Sequence, residues 1–219
     1  MIIIPEARAV VILTPRAGST ALKDVLLAAF PNAFMPYRHM EADGVPAGYE
    51  GYQKFGLVRP PLTRMWSVWH YILYMQYNRK STWDSFGIDE IVAEADNGFF
   101  NWMRNGTVPF ARSSSPTGRV FPRYHTLHPM HEFKKSQHVY LRPDLGTEVF
   151  PFHLAQNMLD ALADRAGPQL HGLLRMPGSK VNAAAPSMPK DVRRACLQLV
   201  DQGRCNHLLW DHDRAGGWF

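Results

Sequence analysis

The sequence predicts an α/β domain of three layers, with helices packed on both faces of a central parallel sheet. Three observations carry that expectation. The run Ala9-Val10-Val11-Ile12-Leu13 is continuously apolar, as a strand covered on both faces must be, and a Gly-bearing turn and a helix-like run follow it. Strand-like and helix-like stretches then alternate along the chain, which favours parallel strands joined by crossover helices. The 219 residues suffice for one sizeable domain, residues 1–219, and no internal repeat divides them.

Taken in order, the first strand covers about residues 8–13. The helix after the turn places Leu22, Val25, Leu26 and Ala29 on one face and stops at Pro31. Residues 34–51 hold two Pro, three Gly and the cluster Tyr37-Arg38-His39-Met40-Glu41, and read as a loop with room for a short strand. A second strand over residues 52–58 delivers Arg59. Pro61 suits the first turn of a helix that runs to about Arg79. Its stripe Met65, Val68, Trp69, Ile72 and Met75 faces the core, and the remaining aromatics are available to line a sugar or adenine site. Residues 88–104 predict one helix closed by Gly106, and 112–119 form a polar linker. His138 to Arg142 predict a third strand. Helices follow over 152–166, ended by Gly167, and 191–202, with Val192, Ala195, Cys196 and Leu199 inward. Leu208, Leu209, Trp210 and Trp218 would dock the tail on the body.

Two stretches carry chemistry. Thr14-Pro15-Arg16-Ala17-Gly18-Ser19-Thr20 joins the first strand to its helix. Free N–H groups and the helix dipole make such a junction an anion site. Arg16 adds a cation, and Ser19 and Thr20 add hydroxyl donors, so the simplest ligand is a phosphate or sulfate. The loop lacks the Gly-x-x-x-x-Gly-Lys-Ser/Thr pattern of nucleoside-triphosphate sites, whose hydroxyl holds magnesium. The second stretch is Arg59-Pro60-Pro61-Leu62-Thr63-Arg64-Met65-Trp66-Ser67. Ser67 lies about two turns along the helix, where a long Arg side chain can share its phosphate. Both junctions would open on the carboxyl edge of the sheet.

Together these stretches resemble the 5′-phosphosulfate loop and the 3′-phosphate motif of the sulfotransferases that use 3′-phosphoadenosine 5′-phosphosulfate. Pro61 and Arg64 match the Arg-x-Pro-x-x-Arg-x-x-Ser form of the carbohydrate and heparan-type branch. The resemblance covers residues 14–67 and implies a P-loop NTPase-like sulfotransferase fold. It also implies transfer of a sulfuryl group to a hydroxyl or amine of an acceptor, a saccharide by branch. Arg16, Ala17, Gly18, Ser19 and Thr20 would hold the 5′-phosphosulfate, with Arg16 as the catalytic cation, and Arg59 and Ser67 would hold the 3′-phosphate. The base would be His39, because Tyr37-Arg38-His39 is similar to the Lys-Thr-His segment of the cytosolic branch, or else Glu41. Lys180, in a basic C-terminal loop, would help cover the 3′-phosphate. Pro143 stands where the carbohydrate branch has an acidic residue, so the likeness is only approximate there. No metal is expected, since cationic side chains take its place.

The formal net charge of +5 suits an acidic nucleotide, an acidic saccharide or nucleic acid, but no aromatic and basic recognition motif for nucleic acid is present. His125, His128 and His131 recur every third residue, a step that drifts around a helix and does not converge on a metal. Cys196, Cys205, His207 and His212 lack zinc spacing. The two cysteines are too few for a disulfide framework and point to a reducing compartment. The first residues lack the pattern of a signal peptide, and no apolar run approaches about 20 residues, so a cytoplasmic protein is expected. Two other readings stay open: a small-molecule kinase-like P-loop phosphotransferase, which would need magnesium, and a non-catalytic binding protein of the same fold or for nucleic acid.

Overall fold

The apolar run ahead of the Gly-bearing turn is the second strand of the sheet, not the first. The computed structural model describes residues 1–77, 88–105, 137–177 and 187–201. Four strands lie in spatial order β1 (Ile2–Ile4), β2 (Ala9–Ile12), β3 (Gln53–Val58) and β4 (Thr147–Pro151). β2 and β3 are parallel, in a register that pairs Ile12 with Gly56, and β3 and β4 are parallel up to Val58 opposite Pro151. β1 runs antiparallel to β2, Ile2 facing Val11 and Ile4 facing Ala9. The fold is therefore α/β with a mixed sheet, which corrects the parallel sheet expected. The reason is chain length. Only residues 5–8 separate β1 from β2, whereas a parallel connection needs about a dozen residues or more. The Arg8 N–H donates to the Pro5 carbonyl at 3.1 Å to close that turn.

Helix α1 (Ser19–Ala29) returns the chain from β2 to β3, and α2 (Pro61–Tyr77) leaves β3. The alternation of strand side chains divides the core. Ala9, Val11, Leu13, Phe55 and Leu57 pack with Leu22 and Leu26 of α1 and with Met158, Leu159 and Leu162 of the helix Ala155–Ala166. Val10, Ile12 and Val58 point the other way, onto Met1, Ile3, Met40, Tyr140 and Leu141. A third cluster joins Met65, Val68 and Ile72 of α2 to Val92, Phe99, Trp102 and Cys196. Three residues of the apolar stripe expected on α2 are thus buried as expected.

Three elements differ from expectation. The single helix over 88–104 is two, α3 (Ile88–Asp96) and α4 (Phe99–Asn105). Gly98 separates them at φ 91°, a left-handed conformation, and its N–H bonds the Ala95 carbonyl at 3.1 Å. His138 to Arg142 is not a strand: Gln137–Leu141 forms a short helix, α5. Tyr140 and Leu141 are adjacent and both buried, which a helical turn allows and a strand facing one core does not. The strand position beside β3 falls instead to β4, whose Pro151 is tolerated at the end of an edge strand. After a short turn at Phe152–Leu154 come α6 (Ala155–Ala166) and α7 (Lys190–Asp201). The linker at 112–119, Lys180, the histidines at 125, 128 and 131, and the tail from 206 lie outside the described residues. Among the described residues, no helix is long and apolar enough to cross a membrane.

Candidate functional site

The loop between β2 and α1 has two left-handed residues, Arg16 at φ 63° and Gly18 at φ 81°. Gly18 caps α1 through its carbonyl, which accepts the Leu22 N–H at 3.0 Å. Among the described residues, no side chain caps this end and no acidic residue lies in its first turn, so the leading amides of α1 are set to meet an anion. Gly18 is required for space as well as for conformation, since a Cβ there would lie 2.7 Å from Phe152 Cε2. Arg16 has no such licence. An L-residue in this conformation costs about 1–2 kcal/mol, and strain of this kind collects at functional loops. Ala17 differs from its neighbours: its N–H closes the loop onto the Thr14 carbonyl at 3.2 Å.

Helix α2 holds this loop from the side. Arg16 donates from Nε and Nη2 to Ser67 Oγ, at 3.1 and 2.9 Å, and its guanidinium lies 4.8 Å from the Tyr71 ring centroid. Ser67 and Tyr71 are four residues apart and share a helix face. Because Ser67 Oγ accepts both bonds, its own proton is left to donate elsewhere. Arg64, 1% exposed, donates from Nε to the Pro15 carbonyl at 3.1 Å. Arg59, at the end of β3, reaches the Arg16 carbonyl with Nη1 at 3.4 Å and rests 5.6 Å from the Phe152 ring centroid. Its own N–H and carbonyl are both bonded to the side chain of Gln137. Thr20 Oγ1 accepts from Arg38 Nη2. The structure thus gathers Arg16, Ala17, Gly18, Ser19, Thr20, Arg59 and Ser67 around one loop.

Positive charge dominates there. Burial pulls the Arg16 guanidinium down to about 10; Tyr71 opposes this, and Arg59 and Arg38 add to it. Burial also lowers Arg59. Among the described residues, no carboxylate forms an ion pair with Arg16, Arg38 or Arg59. The three guanidinium groups are half-buried, and with no carboxylate of the described residues paired to them an anionic ligand would offset their charge.

His39 lies at the rear of the loop and is 9% exposed. Its Nδ1 is 2.7 Å from the Leu13 carbonyl, which can only accept, so Nδ1 carries the proton and the ring lone pair is on Nε2. Burial pulls His39 down to about 3, against the pull of the Leu13 bond, and Arg38 and Arg64 add to the depression. Glu41 is also buried, and its charge is among those that raise Arg142, just beyond the end of α5. The bond to Leu13 ties His39 to the start of the loop.

Four residues here were not singled out from the sequence. Arg38 adjoins His39 and could have been weighed as a cation. His70, three residues after Ser67, is lowered by burial and by Arg16. Phe152 and Gln137 come from distant segments and carry no local signal. Among the described residues, no group of His, Cys, Asp and Glu side chains could hold a metal ion. No protein-family model, curated protein or solved structure matches this chain.

Proposed function

We propose that the chain is a sulfotransferase with a P-loop NTPase-like sulfotransferase fold. It would move a sulfuryl group from 3′-phosphoadenosine 5′-phosphosulfate to a hydroxyl or amine of an acceptor, with a saccharide as first choice. One observation carries the reading. The arginines of two separate strand-to-helix junctions converge, Arg59 Nη1 lying 3.4 Å from the Arg16 carbonyl, with no carboxylate of the described residues paired to either. Two cationic grips around one loop suit a ligand with two phosphate-type groups.

In this reading the acceptor oxygen attacks sulfur, and the bond from sulfur to the bridging oxygen of the 5′-phosphate breaks. The acceptor proton passes to His39 Nε2. The charge growing on the leaving phosphate is met by Arg16 and by the leading amides of α1. Arg16 would act by charge and hydrogen bonding, since a guanidinium does not give up its proton. Ser67 would donate its hydroxyl proton to the 3′-phosphate while still accepting from Arg16. The phosphates would offset the charge of Arg38 and so raise the basicity of His39.

The depressed basicity of His39 favours a second reading, a pocket that binds the bisphosphate without turnover. Two measurements separate the possibilities. Adenosine 3′,5′-bisphosphate should raise the melting temperature well above the effect of ATP with magnesium; equal or greater protection by ATP would favour a phosphotransferase and overturn the proposal. Labelled donor incubated with a glycan panel should transfer label. His39→Ala should abolish that transfer while keeping bisphosphate affinity, whereas binding without transfer to any acceptor would select the second reading.

A further inference from the structure

One side chain takes both polar groups of the Arg59 backbone. The Arg59 N–H donates to Gln137 Oε1 at 2.8 Å, and Gln137 Nε2 donates to the Arg59 carbonyl at 2.8 Å. This is how an antiparallel strand partner would bond to one residue. The place is telling: the β3–β4 ladder ends at Val58 opposite Pro151, so Gln137 extends the pairing of β3 by one residue after its neighbour strand stops. Gln137 is 0% exposed and opens α5. That helix is seated on β3 at a second point as well. A Cβ at Gly56 would lie 2.1 Å from Leu141 Cδ2, so the helix packs directly against backbone there. Fixed at Gly56 and at Arg59, α5 acts as a prop beneath the end of β3.

The consequence reaches the pocket. Holding both the N–H and the carbonyl of Arg59 restricts its backbone dihedrals, and so the direction in which its side chain leaves the strand. From that origin the guanidinium lies over Phe152 and meets the Arg16 carbonyl at 3.4 Å, a long bond that a ligand oxygen can replace. We infer that Gln137 is a positioning residue that aims Arg59, and through it sets how well the pocket distinguishes an adenosine bisphosphate from the 5′-monophosphate. The inference rests on the proposed assignment of Arg59 to the 3′-phosphate.

Titration calorimetry with adenosine 3′,5′-bisphosphate and adenosine 5′-monophosphate tests it. Wild type should prefer the bisphosphate by roughly 10- to 100-fold, the range of a charge-assisted hydrogen bond. Gln137→Met, which loses both bonds at similar volume, should cut that preference about tenfold and leave monophosphate affinity within about twofold. Gln137→Glu keeps the acceptor but not the donor and should fall between. In an Arg59→Ala background, Gln137→Met should have no further effect on the preference, because its action passes through Arg59. An unchanged preference in Gln137→Met, equal weakening of both nucleotides, or a further loss in the Arg59→Ala background would overturn the inference. Should neither Gln137 variant fold, hydrogen exchange in wild type decides: the Arg59 amide should be protected like those of β3, and exchange at loop rates overturns the clamp. A wild type with no preference for the bisphosphate would instead overturn the assignment of Arg59, and with it the proposed function.

Discussion

Acid should destabilise this protein through His39, and His39→Gln should remove that sensitivity. The imidazole is buried, donates from Nδ1 to the Leu13 carbonyl, and feels Arg38 and Arg64. It is held at about 3, against an ordinary value of 6.5. The folded value lies below the unfolded one. Between the two, the unfolded chain takes up a proton that the folded chain refuses. The stabilising contribution is therefore complete above the unfolded value and drains away as pH falls toward the folded one. Each pH unit well inside that window is worth about 1.4 kcal/mol. Lowering the pH from 7 to 4.5 should then remove about 3 kcal/mol, a sizeable share of a domain stability of about 5–15 kcal/mol. Glutamine can still donate to Leu13 but does not titrate. The assay is urea unfolding of both proteins at pH 7 and pH 4.5, comparing the pH-dependent loss rather than the absolute stability. Carboxylates with lowered values, such as Asp144, act equally in both and cancel. Wild type should lose about 3 kcal/mol more than the variant. Loss curves that run parallel would show that the imidazole is not kept neutral by its surroundings, and would refute the reasoning. Saturating bisphosphate should narrow the window, because its phosphates would offset the cations that help depress His39.

Two further predictions concern the loop. Gly18→Ala should cost about 1–3 kcal/mol in denaturant unfolding, because it combines a left-handed φ with a Cβ pressed on the Phe152 ring. Gly48→Ala is the control, with φ 91° but nothing within 4 Å, and should cost less; equal losses would show that the Phe152 contact is relieved at no cost. Arg64→Met should cost at least about 1 kcal/mol and weaken bisphosphate binding, since it frees the Pro15 carbonyl and one anchor of the loop. A variant of unchanged stability and affinity would remove Arg64 from the account of how the loop is held.

Much of the fold was legible because its signals are local. The run 9–13, the punctuation at Pro31 and Pro61, and the apolar spacing of α1, α2 and α7 mark those elements to within about two residues, whereas the one helix expected over 88–104 is divided at Gly98 into α3 and α4. β1 escaped notice because three isoleucines alone give no period. The exchange of strand and helix between 137 and 151 has a different cause. Strand identity depends on the partner, and β3 accepted Thr147–Pro151 while Gly56 left room for Leu141 of α5. The candidate site divides in the same way. Arg16, Gly18, Arg59 and Ser67 were visible because motif spacing is a property of sequence. Gln137 was not, being 78 residues from the arginine it holds. The low basicity of His39 was equally hidden, since it arises from burial and from cations that only the fold assembles.

The loop after β2 and the side chains around it concentrate several features that oppose folding. Arg16 adopts a left-handed backbone, Arg16 and Arg59 are depressed by burial, and His39 is kept neutral beside cations. These burdens fall at the end of β2, where Val10, Val11, Ile12 and Leu13 are fully buried and can offset them. A single carboxylate in the ligand would be a poor match. It brings one negative charge to three guanidinium groups and to a helix end worth about half a positive charge more. Two phosphate-type groups supply several charges and enough oxygens for Arg16, Arg59, Arg38 and the amides of α1 together. On the proposed reading, charge balance would favour such a polyanion, and a bisphosphate should then stabilise the protein even in the His39→Ala variant.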